Sequence, residues 1–191
     1  MATALELNSA VAPPLQLHRF SVEQYHRLGE MGVLTPEDKV ELLEGWIASK
    51  MNQRPIHGYL VGLLNELFVR QLPQDWICRC QLPITTERSE PEPDIAIVQG
   101  KQVDYRDGHP CGTQCRLIIE VADTSLDKDR LKAAIYRSAG VLEYWIVNIQ
   151  SKCVERYVGD SPQPAIVQAD SQILIQVDDT AIEIDLKHVF Q

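Results

Sequence analysis

The clearest amphipathic pattern in the first half of the chain begins at His57. Apolar side chains recur from there to Leu72 at spacings of three and four residues, which places them on one face of a helix. The members of this apolar stripe are Leu60, Leu63, Leu64, Leu67 and Phe68. Pro73 lacks the backbone N–H that a helix interior needs, so we expect the helix to end before it.

Two shorter elements are predicted before this helix. Ser21 precedes a short periodic segment and is a preferred residue type for a helix N-cap. The runs Val40–Leu43 and Trp46–Ser49 flank Glu44 and Gly45 like the arms of a β-hairpin. A short helix through Glu44 is the alternative for this segment.

The second half of the chain is dominated by strand patterns. Apolar and β-branched runs predict strands at residues 76–82, 94–98, 116–122, 144–147 and 153–158, and two short strands near 173–177 and 181–184. Residues 99–115 are rich in Gly, Asp and Pro and are predicted as a loop. A second helix over residues 127–139 interrupts the strands. This order predicts an α/β (α+β) domain with a mixed central sheet.

The second helix carries a lysine that we single out. A helical wheel places Leu131, Ile135 and Ser138 on its buried face and Lys132 on the flank of that face. From there Lys132 can reach the end of the sheet. Lys128 lies on the same flank one turn earlier, so the helical pattern alone does not separate the two lysines.

Two acidic residues stand where apolar residues are expected. Glu120 lies inside the strand-like run at 117–122, where an unpaired carboxylate would cost several kcal/mol if buried. Asp94 follows the stiff Pro-Glu-Pro turn at 91–93 and opens another strand. Carboxylate oxygens are the ligands that Mg²⁺ prefers, and a lysine beside such a site can orient or help deprotonate an attacking water. The pair therefore suggests a metal site, with Lys132 as its candidate lysine.

Length and charge limit the classes of protein. The 191 residues predict one domain at 20–191 with a flexible N-terminal arm at 1–19. No apolar run is long enough to cross a membrane and no secretory signal is evident, so a cytoplasmic location is expected. The formal net charge of −9 means that any binding of nucleic acid must use a local basic patch. Basic residues gather on the second helix, but Asp127 and Asp129 are interleaved with them, which is typical of a solvated face of mixed charge.

The five cysteines do not support a structural zinc site. They are Cys78, Cys80, Cys111, Cys115 and Cys153, and none of their spacings is the paired Cys-x-x-Cys arrangement. Small buried or half-buried thiols are the simpler interpretation.

Taken together, these motifs resemble the Uma restriction-endonuclease-like family of the PD-(D/E)XK nuclease superfamily. The resemblance rests on Pro93-Asp94 before an apolar strand, Ile118-Ile119-Glu120-Val121, and Lys132-x-x-x-Tyr136 leading into the Glu143-Tyr144-Trp145 segment. Further upstream, the acidic segment at 41–45 resembles the family's acidic hairpin, and His57 is similar to the histidine that opens its long helix. The resemblance covers about residues 20–190.

The resemblance implies a fold and a site. It implies a restriction-endonuclease-like αβββαβ core in which Asp94 and Glu120 bind Mg²⁺ or Mn²⁺, with the carbonyl of Val121 as a third ligand. It assigns Glu41 or Glu44 to the outer shell of the metal. The superfamily usually carries its lysine two positions after the glutamate, where this chain has Ala122, and the resemblance places that lysine at Lys132 on the following helix.

The function that follows from the resemblance is a Mg²⁺-dependent endonuclease, a hydrolase acting on the phosphodiester bonds of DNA, with a homodimer as its expected assembly. One alternative is an inactive nuclease fold that serves as a binding or assembly module. A phosphodiesterase acting on small nucleotides is another.

The individual residues also have structural interpretations. Asp94 could cap its strand, and Glu120 could form a structural ion pair with Lys132. For His57, a capping or solvent-exposed position is favoured over a ligand role. Tyr136 and Trp145 are expected in the core. At the start of the second helix, Thr124 or Ser125 is the expected cap.

Overall fold

The fold is built in the order helix, hairpin, helix, three strands, helix, strand, with further strands at the C-terminal end. The computed structural model describes residues 17–191. The N-terminal elements are α1 (Val22–Glu30), β1 (Val40–Leu43), β2 (Trp46–Ser49) and α2 (Pro55–Val69). The central elements are β3 (Trp76–Cys80), β4 (Ile95–Gln99), β5 (Cys115–Ala122), α3 (Leu126–Ser138) and β6 (Glu143–Asn148). The C-terminal elements are β7 (Cys153–Val158), β8 (Ala165–Gln168), β9 (Gln172–Val177), β10 (Thr180–Asp185) and α4 (Leu186–Val189).

Strands β3 to β8 form one six-stranded mixed sheet in sequence order. Only β5 and β6 pair in parallel, because α3 connects them as a crossover on one face of the sheet, while every other neighbouring pair is antiparallel. Strands β1 and β2 form a separate hairpin, as do β9 and β10. The run from α2 to β6 is therefore the predicted αβββαβ core, and the predicted fold class is confirmed.

Side chains of β5 alternate between the two faces of the sheet. Leu117, Ile119 and Val121 join the apolar core on the side of α2, whereas Ile118 and Ala122 join the core on the side of α3. Glu120 alternates with Ile119 and Val121, so its side chain projects from the α3 side of the sheet, like those of Ile118 and Ala122. The strand pattern therefore places one carboxylate beneath α3.

The two cores differ in what covers the sheet. On one face α2 packs through Leu60, Leu64 and Phe68, and the β9–β10 hairpin and α4 extend the same layer. On the other face α3 packs through Ala133 and Tyr136. The apolar core beneath α3 is therefore the smaller one, and the buried charged residues Lys132 and Glu120 lie on this side of the sheet.

The buried face of α3 differs from the predicted one. Leu131, expected in the core, is 72% exposed. The buried residues of the helix are Asp129, Lys132, Ala133, Ile135 and Tyr136. Relative to the predicted orientation, α3 buries the face that carries Asp129 and Lys132. Lys132 pairs with carboxylates beneath the helix, and this ion pairing compensates the cost of burying its charge.

Most predicted elements are present, with ends that shift by at most three residues. The hairpin at 40–49 is confirmed over the alternative helix, and the 99–115 connection contains two short 3₁₀ turns, Gln102–Tyr105 and Gly112–Gln114. Strand β8 and helix α4 were not predicted. The N-terminal arm, predicted at 1–19, lies mostly outside the described residues, and its division from the domain remains a prediction. From residue 17 onward, no helix is both long and apolar enough to span a membrane.

Candidate metal and phosphodiester site

Asp94 and Glu120 lie on neighbouring segments of the sheet. Ile95, the first residue of β4, pairs with Ile119 of the antiparallel β5, and Asp94 and Glu120 are the residues next to that pair. Glu120 projects toward α3, where it contacts Lys132, and both acids line one cleft. Both residues are buried, at 8% and 5% exposure. The fold therefore brings together the two acids that the sequence singled out.

The Asp94 carboxylate is held in place through one of its oxygens. Oδ2 accepts a hydrogen bond from the backbone N–H of Val121 at 2.8 Å, and it lies 3.0 Å from Nε2 of His57. The other oxygen, Oδ1, has only a long contact of 3.5 Å with the side-chain amide of Gln81. One oxygen of Asp94 is thus anchored and the other is left open to a ligand.

The Glu120 carboxylate shows the same division. Its Oε1 accepts from Nζ of Lys132 at 2.9 Å and from the hydroxyl of Tyr136 at 3.1 Å. Oε2 accepts no hydrogen bond from any residue of the described chain. Burial raises the pKa of Glu120 to about 8, because desolvation and the neighbouring carboxylates of Asp94 and Asp129 outweigh the ammonium of Lys132.

Lys132 bridges two buried carboxylates. Its Nζ lies 2.9 Å from Oε1 of Glu120 and 2.9 Å from Oε2 of Glu41, and its side chain is 3% exposed. Burial alone would lower the pKa of Lys132, but the two carboxylates outweigh burial and raise it. Lys132 is therefore a charged ammonium group at neutral pH, able to donate hydrogen bonds and unsuited to accept a proton.

Glu41 and Glu44, the two alternatives for the outer shell of the metal, lie in different surroundings. Glu41 is buried and pairs with both Lys132 and Lys128, whose Nζ lies 3.0 Å from Oε1 of Glu41. Although burial raises the pKa of Glu41, the two ammonium groups hold it below its usual value. Glu44 instead contacts Ser89 and Arg88, away from the acids. Glu41 rather than Glu44 joins the site, and Lys132 rather than Lys128 contacts Glu120.

These groups line an open cleft of about 610 Å³. Asp129 also lines it and is 2% exposed, although the sequence pattern placed it on a solvated face. Burial raises its pKa, while the hydroxyl of Ser125, which donates to Oδ2, opposes that rise. The spacing of Asp129, Lys132 and Tyr136 at i, i+3 and i+7 was the signal for one shared helix face. The mixed-charge interpretation of this helix segment was therefore wrong for Asp129 and Lys132.

The second unexpected participant is His57. It is the third residue of α2, whose cap position is Arg54, and its side chain is only 12% exposed, so it is neither a cap nor a solvent residue. Its hydrogen bond to Asp94 raises the pKa of the imidazole, and burial opposes the rise. Its other nitrogen, Nδ1, is buried and finds no hydrogen-bond partner within residues 17–191.

Three other features are structural. Tyr136 and Trp145 are fully buried in the two cores, as predicted, although the hydroxyl of Tyr136 also contacts Glu120. Ser125 occupies the N-cap position of α3 but makes no capping hydrogen bond through its side chain. The five cysteines are free thiols, of which Cys111 is exposed.

The donor set fits a hard cation of the magnesium type. Asp94 and Glu120 each keep one oxygen that is not anchored by a close hydrogen bond, and Mg²⁺ typically binds proteins through one or two carboxylates while keeping several waters. In the described part of the chain, no group of three or more His, Cys, Asp or Glu side chains is placed to hold a metal. The residues therefore fit a cation bound mainly by water and substrate, and not a closed protein cage. The carbonyl of Val121 remains a predicted third ligand.

The raised pKa of Glu120 predicts a dependence of stability on pH. Because its pKa is raised, Glu120 holds a proton to a higher pH in the folded protein than in the unfolded chain, where it ionises near the ordinary glutamate pKa of 4.5. The unfolded state then binds fewer protons, so the free energy of unfolding should fall as pH rises between about 5 and about 8. A tenfold change in an acid dissociation constant corresponds to about 1.4 kcal/mol, so we expect a fall of several kcal/mol relative to Glu120→Gln. Urea unfolding of both proteins across this range measures it, and parallel profiles would contradict the assignment.

The contact between His57 and Asp94 predicts an effect on cation affinity. Removing a partner that orients a metal ligand typically weakens metal binding about 10- to 100-fold. We expect His57→Ala to show this loss for Mn²⁺. His57→Gln should recover part of the affinity because its amide can donate to Asp94. Equal affinities for the wild type and His57→Ala would show that the histidine only fills space.

Comparison with known proteins identifies the family. The family model described as "Uma2: Putative restriction endonuclease" matches residues 22–187, which include α1 and the whole αβββαβ core. The chain belongs to this family. A search of curated proteins found no significant match.

A solved structure supports the fold. It is described as a "putative nuclease belonging to DUF820" from Anabaena variabilis, and it matches with a TM-score of 0.72 and 16% sequence identity. The match covers 90% of this chain and 97% of that one. At this level of identity the likeness supports the shared fold and leaves the chemistry to be argued from the residues of this chain.

Proposed function

We propose that the protein is a Mg²⁺-dependent endonuclease that hydrolyses phosphodiester bonds of DNA. One observation carries the proposal. Two buried carboxylates, Asp94 directly before β4 and Glu120 on the adjacent β5, line one open cleft with the buried ammonium of Lys132, which contacts Glu120. Membership of a family described as "Putative restriction endonuclease" supports the same reaction class.

The residues divide into roles by their contacts. A cation held by Asp94 and Glu120 would supply positive charge that stabilises the phosphate as negative charge builds on it. Val121 and His57 fix the orientation of Asp94 through Oδ2. Lys132 is charged and donates, so it orients the attacking water or a phosphate oxygen and does not act as the base.

Glu41 acts through the lysines. It contacts both Lys128 and Lys132, and its Oε2 accepts from the backbone N–H of Glu92 at 3.2 Å. These contacts hold the Lys132 ammonium between the carboxylates of Glu41 and Glu120. Glu41 is therefore a positioning residue in this proposal, consistent with the outer-shell role expected for it.

Two other functions have an observation in their favour. Lys132 pairs with two buried carboxylates, an arrangement that is also typical of a structural ion-pair network, and the net charge is −9. These facts favour an inactive binding or assembly module. The cleft volume of about 610 Å³ also falls in the range of small-molecule sites, which favours a phosphodiesterase on small nucleotides.

A cleavage assay separates the three functions. The wild type and Asp94→Asn are incubated with supercoiled plasmid, linear duplex and single-stranded DNA in Mg²⁺ or Mn²⁺, with and without excess mononucleotide. Cleavage by the wild type alone, insensitive to mononucleotide, is the expected result. Cleavage abolished by mononucleotide would favour the small-substrate function. No turnover of DNA or of nucleotide diesters in either cation would favour the inactive module.

The expected homodimer is part of the same proposal. Two copies of the cleft would present one site to each strand of a duplex. Sedimentation of the wild type with and without a DNA duplex measures this assembly, and a monomer in both conditions would contradict it.

A further inference from the structure

A basic rim borders the candidate site on the side of the β1–β2 hairpin. We define the basic rim as Lys39 together with residues 50–54, Lys-Met-Asn-Gln-Arg. It carries three cations, two side-chain amides and no carboxylate, in a chain whose net charge is −9. All of its residues are exposed except the half-buried Lys50. The rim is thus a local excess of positive charge on an acidic protein.

The rim lies where two depressions of the surface meet. Lys39 and Lys50 line the main cleft together with Met51, Asn52 and Gln53. The same two lysines also line a second groove of about 450 Å³ that continues toward α1. A ligand that occupied the main cleft and extended past its edge would therefore pass over Lys39 and Lys50.

The geometry of the hairpin holds the two lysines side by side. They flank the β1–β2 ladder, and the backbone N–H of Lys50 donates to the carbonyl of Lys39 at 2.7 Å. Lys39 has a positive φ of 47°, and its Nζ has one weak contact, 3.4 Å from the amide oxygen of Asn52. The two lysines therefore lie side by side at the open end of the β1–β2 hairpin. In the described structure the ammonium of Lys39 has no carboxylate partner.

Two acids near the rim are paired with lysines, and Asp38, which precedes Lys39 in the chain after Glu37, accepts hydrogen bonds from Thr35. Glu92 lines both depressions and is paired with Lys50. Glu41 on the cleft floor is offset by Lys128 and Lys132. Glu30 lines the second groove and not the main cleft. Of the charged groups that line both depressions, Lys50 and Glu92 pair with each other, and within residues 17–191 Lys39 has no ion-pair partner.

We propose that the basic rim binds backbone phosphates of a polynucleotide on one side of the bond that is cut, with Lys39 and Lys50 as the phosphate contacts. This inference rests on the proposed function and deepens it, because such contacts select a polymer over a mononucleotide. Lysine, arginine, asparagine and glutamine side chains are the usual partners of phosphate and sugar oxygens, and the rim contains all four. Arg54 is already paired with Asp123 and serves as a secondary contact.

The test measures how DNA binding depends on salt. Anisotropy of a labelled DNA duplex is titrated in Ca²⁺ over a series of KCl concentrations with the wild type, Lys39→Gln/Lys50→Gln and the control Lys101→Gln/Lys187→Gln. The control removes the same charge from exposed lysines that line neither depression. Each lost phosphate contact should reduce the log–log salt slope by about 0.9 and the affinity about eightfold at ~0.1 M salt. The rim variant should therefore lose about 1.8 in slope, while the control keeps the wild-type slope.

The outcomes separate the two proposals. Wild-type slope and affinity in the rim variant would overturn the inference and leave the nuclease proposal standing. Equal losses in the rim variant and the control would also overturn it, since the effect would then be one of net charge. DNA binding through the rim without cleavage by the wild type in Mg²⁺ or Mn²⁺ would support the rim and overturn the nuclease proposal. A wild type that binds no DNA would overturn both.

Discussion

Replacing Lys132 with alanine is expected to stop DNA cleavage and to leave divalent-cation binding in place. The ammonium is the positively charged donor that contacts Glu120, whereas both carboxylates that we assign to the cation remain in the variant. Removing one positioned donor from a reacting oxyanion typically lowers the rate about 10²- to 10³-fold. Single-turnover cleavage and calorimetric titration of Mn²⁺ measure the two properties separately. Wild-type cleavage by Lys132→Ala would refute the assignment of the lysine.

The same substitution should also lower stability. Removing one partner of a buried ion pair typically costs about 3–5 kcal/mol, and the cost here should lie near the lower end because Glu120 can take up a proton. Lys128→Ala is the matched control, since Lys128 is on the same helix, is 25% exposed and contacts Glu41 only. It should cost no more than about 1 kcal/mol. Adding Glu120→Gln to Lys132→Ala should restore part of the loss, because the uncompensated carboxyl is then gone.

Asp94→Asn should abolish cation binding and cleavage together. The amide keeps the size of the carboxylate and can still accept from the N–H of Val121, so the strand end should remain folded. It removes the negative charge and offers a cation one weak oxygen ligand. Substituting the hydrogen-bond partner of a metal ligand weakens metal affinity by about 10- to 100-fold. Loss of the ligand itself should cost at least as much, so we expect the affinity to fall by about 100-fold or more.

Asp123→Asn is the matched control for Asp94→Asn. Asp123 lies on the turn after β5, is paired with Arg54, and is not assigned to the cation. Calorimetry should show wild-type affinity for Mn²⁺ in this variant. If Asp94→Asn bound Mn²⁺ as tightly as Asp123→Asn, the site would lie elsewhere.

The acids of the site could be predicted from sequence because they break the pattern around them. Glu120 interrupts a strand that is otherwise buried and apolar, and Asp94 opens one, so the cost of burying a carboxylate distinguishes both positions from their neighbours. Alternation along β5 then fixes the face from which Glu120 projects. The αβββαβ order could also be predicted, because segments with helical periodicity and segments with strand patterns follow one another along the chain with little overlap.

The groups around the acids could not be predicted in the same way. The pattern on α3 favoured Leu131 as a core residue because leucine is usually buried, but tertiary ion pairing turns the helix so that Asp129 and Lys132 are buried instead. His57 reaches Asp94 from a helix on the opposite face of the sheet, which no local spacing encodes. Choosing Glu41 over Glu44 likewise required the hairpin's position relative to α3.

The central claim is that Asp94 and Glu120 form a carboxylate site for a divalent cation. The most direct measurement is a calorimetric titration of Mn²⁺ and Mg²⁺ into the wild type and into Glu120→Gln, with folding of the variant verified by circular dichroism. We predict binding by the wild type that is lost in Glu120→Gln. Equal binding by both proteins, or none by the wild type with and without a DNA duplex present, would contradict the claim.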